Sequence, residues 1–178
     1  MTDTVREAAA PAVTLDAGAT VAEALARLEQ AGVEFAVLRD AQGALRGPVT
    51  LTDLRRAEGE ASLEAIWEET PPPIVVPPGM DVDQVARTVA RDLVLNPGFQ
   101  GVIVREGDRV LGVLPRRLLA QRAARWATRG TADRLEGAPV DILYFECPVD
   151  GERRMVPYYD PQNPPTCSQG HPMEPVED

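Results

Sequence analysis

A threonine and an aspartate in the first half of the chain have the spacing of a small polar ligand site. The segment Gly47–Leu54 follows an apolar, strand-like run and opens a short helical pattern. Thr50 and Asp53 stand three residues apart, so at a helix start their oxygens can converge on one target, and Thr52 belongs to the same candidate set. Backbone amides at a helix start also favour an anion. The alternative interpretation is a plain helix cap, for which threonine and aspartate are common residues.

Both cysteines and the only histidine of the chain lie near its end. Cys147 opens the segment C-P-V-D-G, and Cys167 opens the segment C-S-Q-G-H, which ends at His171. Thiolates and imidazole are the usual tetrahedral ligands of zinc, and a carboxylate is an accepted fourth ligand. These residues therefore predict a structural zinc. Two competing interpretations remain, a Cys147–Cys167 disulfide and a tail that has lost its metal.

Composition limits the classes of partner and of chemistry. The net charge is −10 and the pI is about 4.6, opposite in sign to a nucleic-acid-binding surface. All 18 basic residues are arginines, so no Schiff-base or phosphate-loop lysine is available. No apolar run approaches the ~20 residues of a membrane-spanning helix, and Met1–Ala10 lacks the pattern of a secretory signal. We therefore expect a cytoplasmic protein without a membrane segment.

The elements that must position these residues occur twice. The order strand, helix, strand, strand, helix is predicted for 12–57, with a capping box at Thr20, and again for 74–128. The second copy has one continuous apolar helix stripe, Val82–Leu93. Residues 1–10 are predicted as a lead-in that is frayed or packed on a partner. An internal repeat of about 60 residues predicts two halves that pack against each other about a pseudo-two-fold axis.

The motif G-h-x-T-x-x-D after two short strands, here Gly47, Thr50 and Asp53, resembles the signature of cystathionine-β-synthase (CBS) domains. The resemblance implies a tandem CBS pair with an α/β (α+β) fold of two βαββα units, at residues 8–60 and 61–126. It also implies that Thr50 and Asp53 hold the ribose and phosphate of an adenosyl ligand of the AMP, ADP or ATP type. Two such pairs usually assemble into a dimeric disc in that family, so we expect a homodimer.

Only the first repeat keeps the complete motif. The second repeat reads G-V-L-P-R-R-L, in which Pro115 replaces the threonine and Leu118 replaces the aspartate. A ribose diol needs a carboxylate acceptor, which leucine lacks, so we expect one ligand per chain. Arg116 and Arg117 open the last predicted helix and are candidates to bind the phosphate of a ligand held mainly by the first repeat. The alternative is that both arginines are solvated.

The end of the chain, 140–178, resembles a small β zinc ribbon, and the residues before it, 127–139, have the composition of a linker. In such ribbons the first knuckle usually reads C-P-x-C-G, and Asp150 stands here at the position of the second cysteine. Asp160 or water are the alternatives for the fourth ligand. The resemblance thus implies four metal ligands, Cys147, Asp150, Cys167 and His171.

The first functional hypothesis is a regulatory binding protein, not an enzyme, whose CBS pair senses an adenosyl ligand and whose ribbon presents that state to a protein partner. The alternative is a constitutive scaffold, in which the pair dimerises without ligand and the ribbon docks protein or nucleic acid. The net charge of −10 disfavours nucleic acid. A third hypothesis, a metal-dependent hydrolase with Glu146 or Glu152 as base, lacks a second histidine, a lysine or a Ser-His-Asp set.

Overall fold

The computed structural model describes residues 3–16, 18–57, 62–68, 70–129, 143–156 and 164–176. The first repeat has the predicted order of elements, preceded by a short helix. Its elements are α1 (Val5–Ala8), β1 (Ala12–Asp16), α2 (Val21–Ala31), β2 (Phe35–Arg39), β3 (Leu45–Thr50) and α3 (Leu51–Arg56). Helix α2 begins at the predicted capping box of Thr20 and ends at Gly32, whose φ of 65° is the left-handed conformation that glycine favours at a helix end.

The second repeat has the same order with one additional break. Its elements are a linking helix α4 (Leu63–Glu68), then β4 (Ile74–Val76), α5 (Val82–Thr88), α6 (Ala90–Leu95), β5 (Gly101–Glu106), β6 (Arg109–Pro115) and α7 (Arg116–Arg129). The prediction of one continuous helix over Val82–Leu93 is wrong, because the helix is interrupted at Val89, where ψ is 7°. The Thr88 hydroxyl donates to the Gln84 carbonyl oxygen at 3.0 Å, a contact of the kind that bends helices.

The two repeats have the same strand pairing. Strand β1 pairs in parallel with β2, and β2 pairs antiparallel with β3. Strands β4, β5 and β6 repeat this arrangement. The fold is therefore mixed α+β. Within the described ranges, every helix is too short or too polar to span a lipid bilayer.

The two sheets pack face to face, and the helices cover their outer faces. Side chains alternate along each strand, so that Val37 faces the opposite sheet while Ala36 and Leu38 face the helices of the first repeat. The shared cluster consists of the buried residues Phe35, Val37, Leu45, Val75, Ile103 and Val113. Because these strands are covered on both faces, they read as continuous apolar runs in the sequence.

The lead-in packs on this chain's own second repeat, so the expectation that residues 1–10 are frayed or packed on a partner is wrong for the described part. Val5 is fully buried in the core of the second repeat. Its amide donates to the Met80 carbonyl oxygen at 2.9 Å. Arg122 of α7 also forms an ion pair with Asp3.

The segments that precede the first strand of each repeat cross to the other repeat. Ala10, before β1, exchanges hydrogen bonds of 2.8 and 2.9 Å with Val113 of β6. A Cβ on the neighbouring Gly112 would overlap the Ala10 carbonyl oxygen, so glycine is required there. Pro71, before β4, lies against Gly47 of β3, and its carbonyl oxygen is 3.2 Å from where a Cβ would stand, a tight contact rather than an overlap. These two crossings are pseudo-symmetric.

The tail adds three strands, β7 (Leu143–Glu146), β8 (Arg153–Val156) and β9 (Glu174–Pro175). Strand β8 pairs in parallel with β4, so that one sheet has the order β6-β5-β4-β8-β7-β9. Nothing in the sequence predicts this pairing, because a parallel contact between distant segments leaves no local pattern. Of the predicted linker, residues 130–139 lie outside the described part.

Candidate functional site

Thr50 and Asp53 lie together where β3 passes into α3, and they bond to each other. Thr50 is the N-cap residue, and its hydroxyl oxygen accepts from the Asp53 amide at 3.1 Å. The Thr50 amide and hydroxyl both donate to Asp53 Oδ2, at 3.1 and 2.6 Å. The two side chains thus form a capping box that stabilises the start of α3. This box uses only one of the two oxygens of the Asp53 carboxylate.

The surroundings of the motif are narrow. A cavity of about 10 Å³ lies beside Gly47 and Pro48, between the segments 70–73 and 98–101. This volume is about that of a single water molecule. Thr52, the third candidate of this segment, is exposed in the first turn of α3. Neither Thr50 nor Asp53 lines this cavity, and an adenosyl group that entered it would require the segment 70–73 to move.

Arg116 is committed to the backbone of its own repeat. Its Nη1 donates to the carbonyl oxygens of Asn96, Pro97 and Phe99 at 3.0, 2.9 and 3.1 Å. Its Nη2 donates to the Leu93 carbonyl oxygen at 2.7 Å. These carbonyls belong to the last turn of α6 and to the loop after it. The guanidinium therefore caps a helix C-terminus, where a cation is favoured.

Arg117 lies in a different environment. Its side chain is 76% exposed, and its guanidinium is 3.8 Å from the Glu34 carboxylate. The Glu34 carbonyl oxygen accepts from the amide of Leu51, the first residue of α3, at 2.8 Å. Arg117 therefore pairs with a residue whose backbone bonds to the start of α3, while Arg116 points into its own repeat.

The two predicted metal knuckles have related backbone geometry. In the first knuckle, the Gly151 amide donates to the Cys147 carbonyl oxygen at 2.9 Å, and Gly151 has a φ of 70°. In the second, the Gly170 amide donates to the Cys167 carbonyl oxygen at 3.0 Å, and Gly170 has a φ of 80°. Both turns need glycine, because other residues rarely adopt positive φ. The Gln169 amide also points to Cys167 Sγ at 3.4 Å.

The structure brings all four candidate metal ligands together. One ligand atom from each of Cys147, Asp150, Cys167 and His171 lies within 4.8 Å of the others. His171 Nδ1 is 3.9 Å from Cys147 Sγ, 3.5 Å from Cys167 Sγ and 3.7 Å from Asp150 Oδ2. A tetrahedral zinc with ordinary bond lengths would separate such atoms by about 3.3–3.8 Å. The donor set therefore fits this ion, and Asp160, the alternative ligand, lies outside the described residues.

The burial of these groups also favours a cation. Both cysteines are free thiols in the structure and are almost fully buried. Burial, together with the neighbouring Asp150 carboxylate, raises the pKa of Cys167 to about 12. Asp150 Oδ2 is also buried, and it faces the two thiols and His171. A metal ion would favour the thiolate over the neutral thiol and would compensate this carboxylate oxygen.

Glu152 has a structural role that the sequence did not predict. It is fully buried, and its carboxylate accepts from the Ser168 amide at 3.0 Å and from Arg154 at 3.2 Å. Arg105 of β5 lies 3.9 Å from the same carboxylate. Glu152 therefore connects the second knuckle to the second repeat. This arrangement does not suit the catalytic base considered from the sequence, since the carboxylate is removed from solvent and bonded.

Mutation can distinguish the roles of the adjacent residues Arg116 and Arg117. We expect Arg116→Ala to lower the free energy of unfolding by about 2 kcal/mol, because four backbone carbonyls lose a charged donor. Arg117→Ala is the matched control and should leave the unfolding midpoint in urea unchanged, because its ion pair is exposed. Equal midpoints for the two variants would contradict the capping role of Arg116.

Solved structures with similar folds are known. The CBS-domain-containing protein ATU1752 from Agrobacterium tumefaciens matches with a TM-score of 0.50 and 20% identity, over 68% of this chain and 94% of that one. An uncharacterized conserved protein from Pyrococcus horikoshii matches with a TM-score of 0.50 and 18% identity, over 78% and 98% of the two chains. The CBS domain pair of protein MJ0100, in complex with 5′-methylthioadenosine and S-adenosyl-L-methionine, matches with a TM-score of 0.51 and 22% identity, over 68% and 95%. At these identities the similarity concerns the fold alone.

The same two repeats are recognised at the level of the family. A comparison with curated proteins found no match. The model of the CBS domain family matches twice, at residues 2–60 and 64–124, which together cover most of the chain. The chain therefore belongs to the CBS domain family and carries this domain as a tandem pair.

Proposed function

We propose that this CBS pair is a regulatory protein that binds one adenosyl ligand at the first repeat. The observation that carries the proposal is a single complete motif, Thr50 and Asp53, in a paired fold whose second copy has Pro115 and Leu118 instead. The CBS pair of protein MJ0100, which has this fold, was solved with two adenosyl compounds. We propose a binding role rather than an enzymatic one.

The residues around the motif support a specific division of roles. The Asp53 oxygen that the capping box leaves available would accept from the ribose hydroxyls, and the Thr50 hydroxyl would lie near ribose or phosphate. Arg117 is the better candidate for a phosphate, because Arg116 already binds four carbonyls. Thr52 is exposed beside them and stays in the candidate set.

The narrow cleft suggests how a ligand would change the protein. An adenosyl group that enters the small cavity beside Gly47 would displace the segment 70–73, which lines this cavity and connects the repeats. A ligand that binds only the displaced arrangement shifts the population towards it. The relative position of the two repeats, or of two protomers in a CBS homodimer, would then report the ligand to a protein partner.

We also propose that the tail holds one structural zinc in a ribbon-like site. The support is the cluster of Cys147, Asp150, Cys167 and His171, in which both cysteines are buried and His171 Nδ1 lies 3.5–3.9 Å from the other three ligand atoms. The two thiols are free, which favours a metal over a disulfide in the cytoplasm, the compartment that we propose. The ribbon would dock a protein rather than nucleic acid, given the net charge of −10.

One observation favours the alternative, a constitutive dimerisation and docking scaffold. Thr50 and Asp53 satisfy each other as a helix cap, and the cavity beside the neighbouring Gly47 has room for about one water molecule. A chain of this kind would dimerise and present its tail without sensing a nucleotide. The two functions differ in whether the motif binds a ligand, which can be measured directly.

Titration calorimetry of the full chain with AMP, ADP, ATP, NAD and S-adenosylmethionine distinguishes them. We expect at least one compound to bind at one site per chain, and Asp53→Ala to abolish the heat, because the ribose loses its carboxylate acceptor. Glu23→Ala is the matched control, since it removes the same kind of capping box from α2 and should leave binding unchanged. No heat with any compound would support the scaffold. An equal loss in both variants would contradict the role of Asp53 as the ribose acceptor, because binding would then depend on helix capping in general.

Metal analysis of the purified chain tests the zinc. We expect one zinc per chain, and we expect Cys167→Ser to lose it, because serine is a poor ligand for this ion. Ser168→Ala is a suitable control, since it alters the adjacent position and leaves all four ligands in place. A wild-type chain without metal after purification under reducing conditions would contradict the assignment.

A further inference from the structure

The tail contacts the second repeat through a strand. Strand β8 pairs with β4, and Met155 of β8 is fully buried in the core of that repeat. The Arg153 amide donates to the Pro73 carbonyl oxygen at 2.9 Å, and the Arg153 guanidinium is 2.8 Å from the Asp92 carboxylate. Backbone pairing and apolar burial stabilise this contact, and neither needs a metal.

The tail contacts the first repeat through its knuckles. The Leu45 amide, at the start of β3, donates to the Ser168 hydroxyl at 3.2 Å. The Gln169 side chain donates to the Gln42 carbonyl oxygen in the turn between β2 and β3. Ser168 and Gln169 directly follow Cys167, one of the candidate metal ligands.

The first knuckle reaches the same hairpin through an arginine. Arg46 Nη2 binds the Asp40 carboxylate at 2.8 Å, and Nη1 donates to the Asp150 carbonyl oxygen at 3.4 Å. Asp40 is itself buried and accepts from the amides of Gln42 and Ala44 at 3.0 and 2.8 Å, so it shapes the turn. These three hydrogen bonds between the tail and the first repeat, from Ser168, Gln169 and Asp150, therefore come from a candidate metal ligand or from residues within two positions of one.

We propose that zinc in the tail is a clasp that holds the β2–β3 hairpin of the first repeat, residues 39–46. This inference rests on the zinc of the proposed function and not on nucleotide binding. Two short knuckles whose turns are joined by a metal lose their fixed geometry when the metal leaves, since a segment of this size has little core of its own. The contacts with the first repeat then weaken, while the β4–β8 contact remains.

The clasp lies at one end of the strand whose other end carries the ligand motif. Strand β3 begins at Leu45, which is held by the second knuckle, and ends at Thr50, which caps α3. Zinc therefore restrains the strand that positions Thr50 and Asp53. If the motif binds a ligand, the zinc and ligand equilibria are coupled, and each changes the affinity for the other by the same factor.

Amide hydrogen exchange measured by NMR tests the clasp on the full chain, with zinc alone and without nucleotide. We expect removal of zinc by a chelator to speed exchange of the Leu45 amide by about tenfold, because its acceptor is no longer held in place. The Arg153 amide, which bonds to Pro73 across the β4–β8 contact, should change by less than about twofold. With zinc bound, Ser168→Ala should by itself speed exchange of the Leu45 amide, because it removes the acceptor. The control is Ser62→Ala, which changes an exposed residue before the linking helix and should leave this exchange rate unchanged.

The other outcomes are also decisive. If the chain binds zinc but its removal leaves the exchange rate of the Leu45 amide unchanged, the clasp is overturned and the zinc site stands. Equal acceleration at Leu45 and Arg153 would overturn it as well, because the metal would then stabilise the whole tail rather than one contact. A chain that binds no zinc would overturn the metal site and the clasp together. None of these results bears on the calorimetric test of the adenosyl ligand.

Discussion

The packing of one sheet against the other is the constraint on which the rest of this structure depends. Phe35 and Val37 of the first repeat meet Val75, Ile103 and Val113 of the second in a cluster that excludes water. Either repeat alone would expose this apolar face, which is unfavourable in proportion to its area. The two halves therefore fold as a pair, and the pseudo-two-fold relation between them follows from the similarity of their elements.

This packing creates two equivalent positions that the sequence then makes different. A lead-in crosses over a glycine in each repeat, with Ala10 over Gly112 and Pro71 beside Gly47. In the first repeat, Gly47 is followed by Thr50 and Asp53 at the start of α3. In the second repeat, Gly112 is followed by Arg116, which caps the end of α6. The first copy thus keeps the motif for which we propose a ligand, and the second uses its arginine to cap a helix. The tail lies across both copies and joins them at the end of the sheets away from the motif.

Local patterns predicted the local structure well. The capping box at Thr20 and the left-handed Gly32 follow from side-chain chemistry and backbone sterics, so both helix ends were found from the sequence. The knuckle at Cys147 could likewise be paired with that at Cys167, because metal ligands recur at short spacing.

Contacts between distant segments could not be found in this way. The pairing of β8 with β4 depends on which edge of the sheet is available after the repeats have packed. Arg116 has the residue type and position of a phosphate ligand, and only the folded backbone shows that four carbonyls occupy it. The role of Asp53 is also ambiguous in the sequence. A helix cap and a ribose-binding residue both need a carboxylate at this position, so the motif alone does not separate the two roles.

For this CBS pair we propose one ligand site and one metal site in each chain. Native mass spectrometry of the full protein, purified without added metal or nucleotide, tests this description most directly. We predict a dimer whose mass exceeds that of two polypeptides by one zinc per chain, and which gains one adenosyl ligand per chain when the compound is supplied. A species with the mass of the polypeptide alone, unchanged by zinc and by every adenosyl compound, would contradict it.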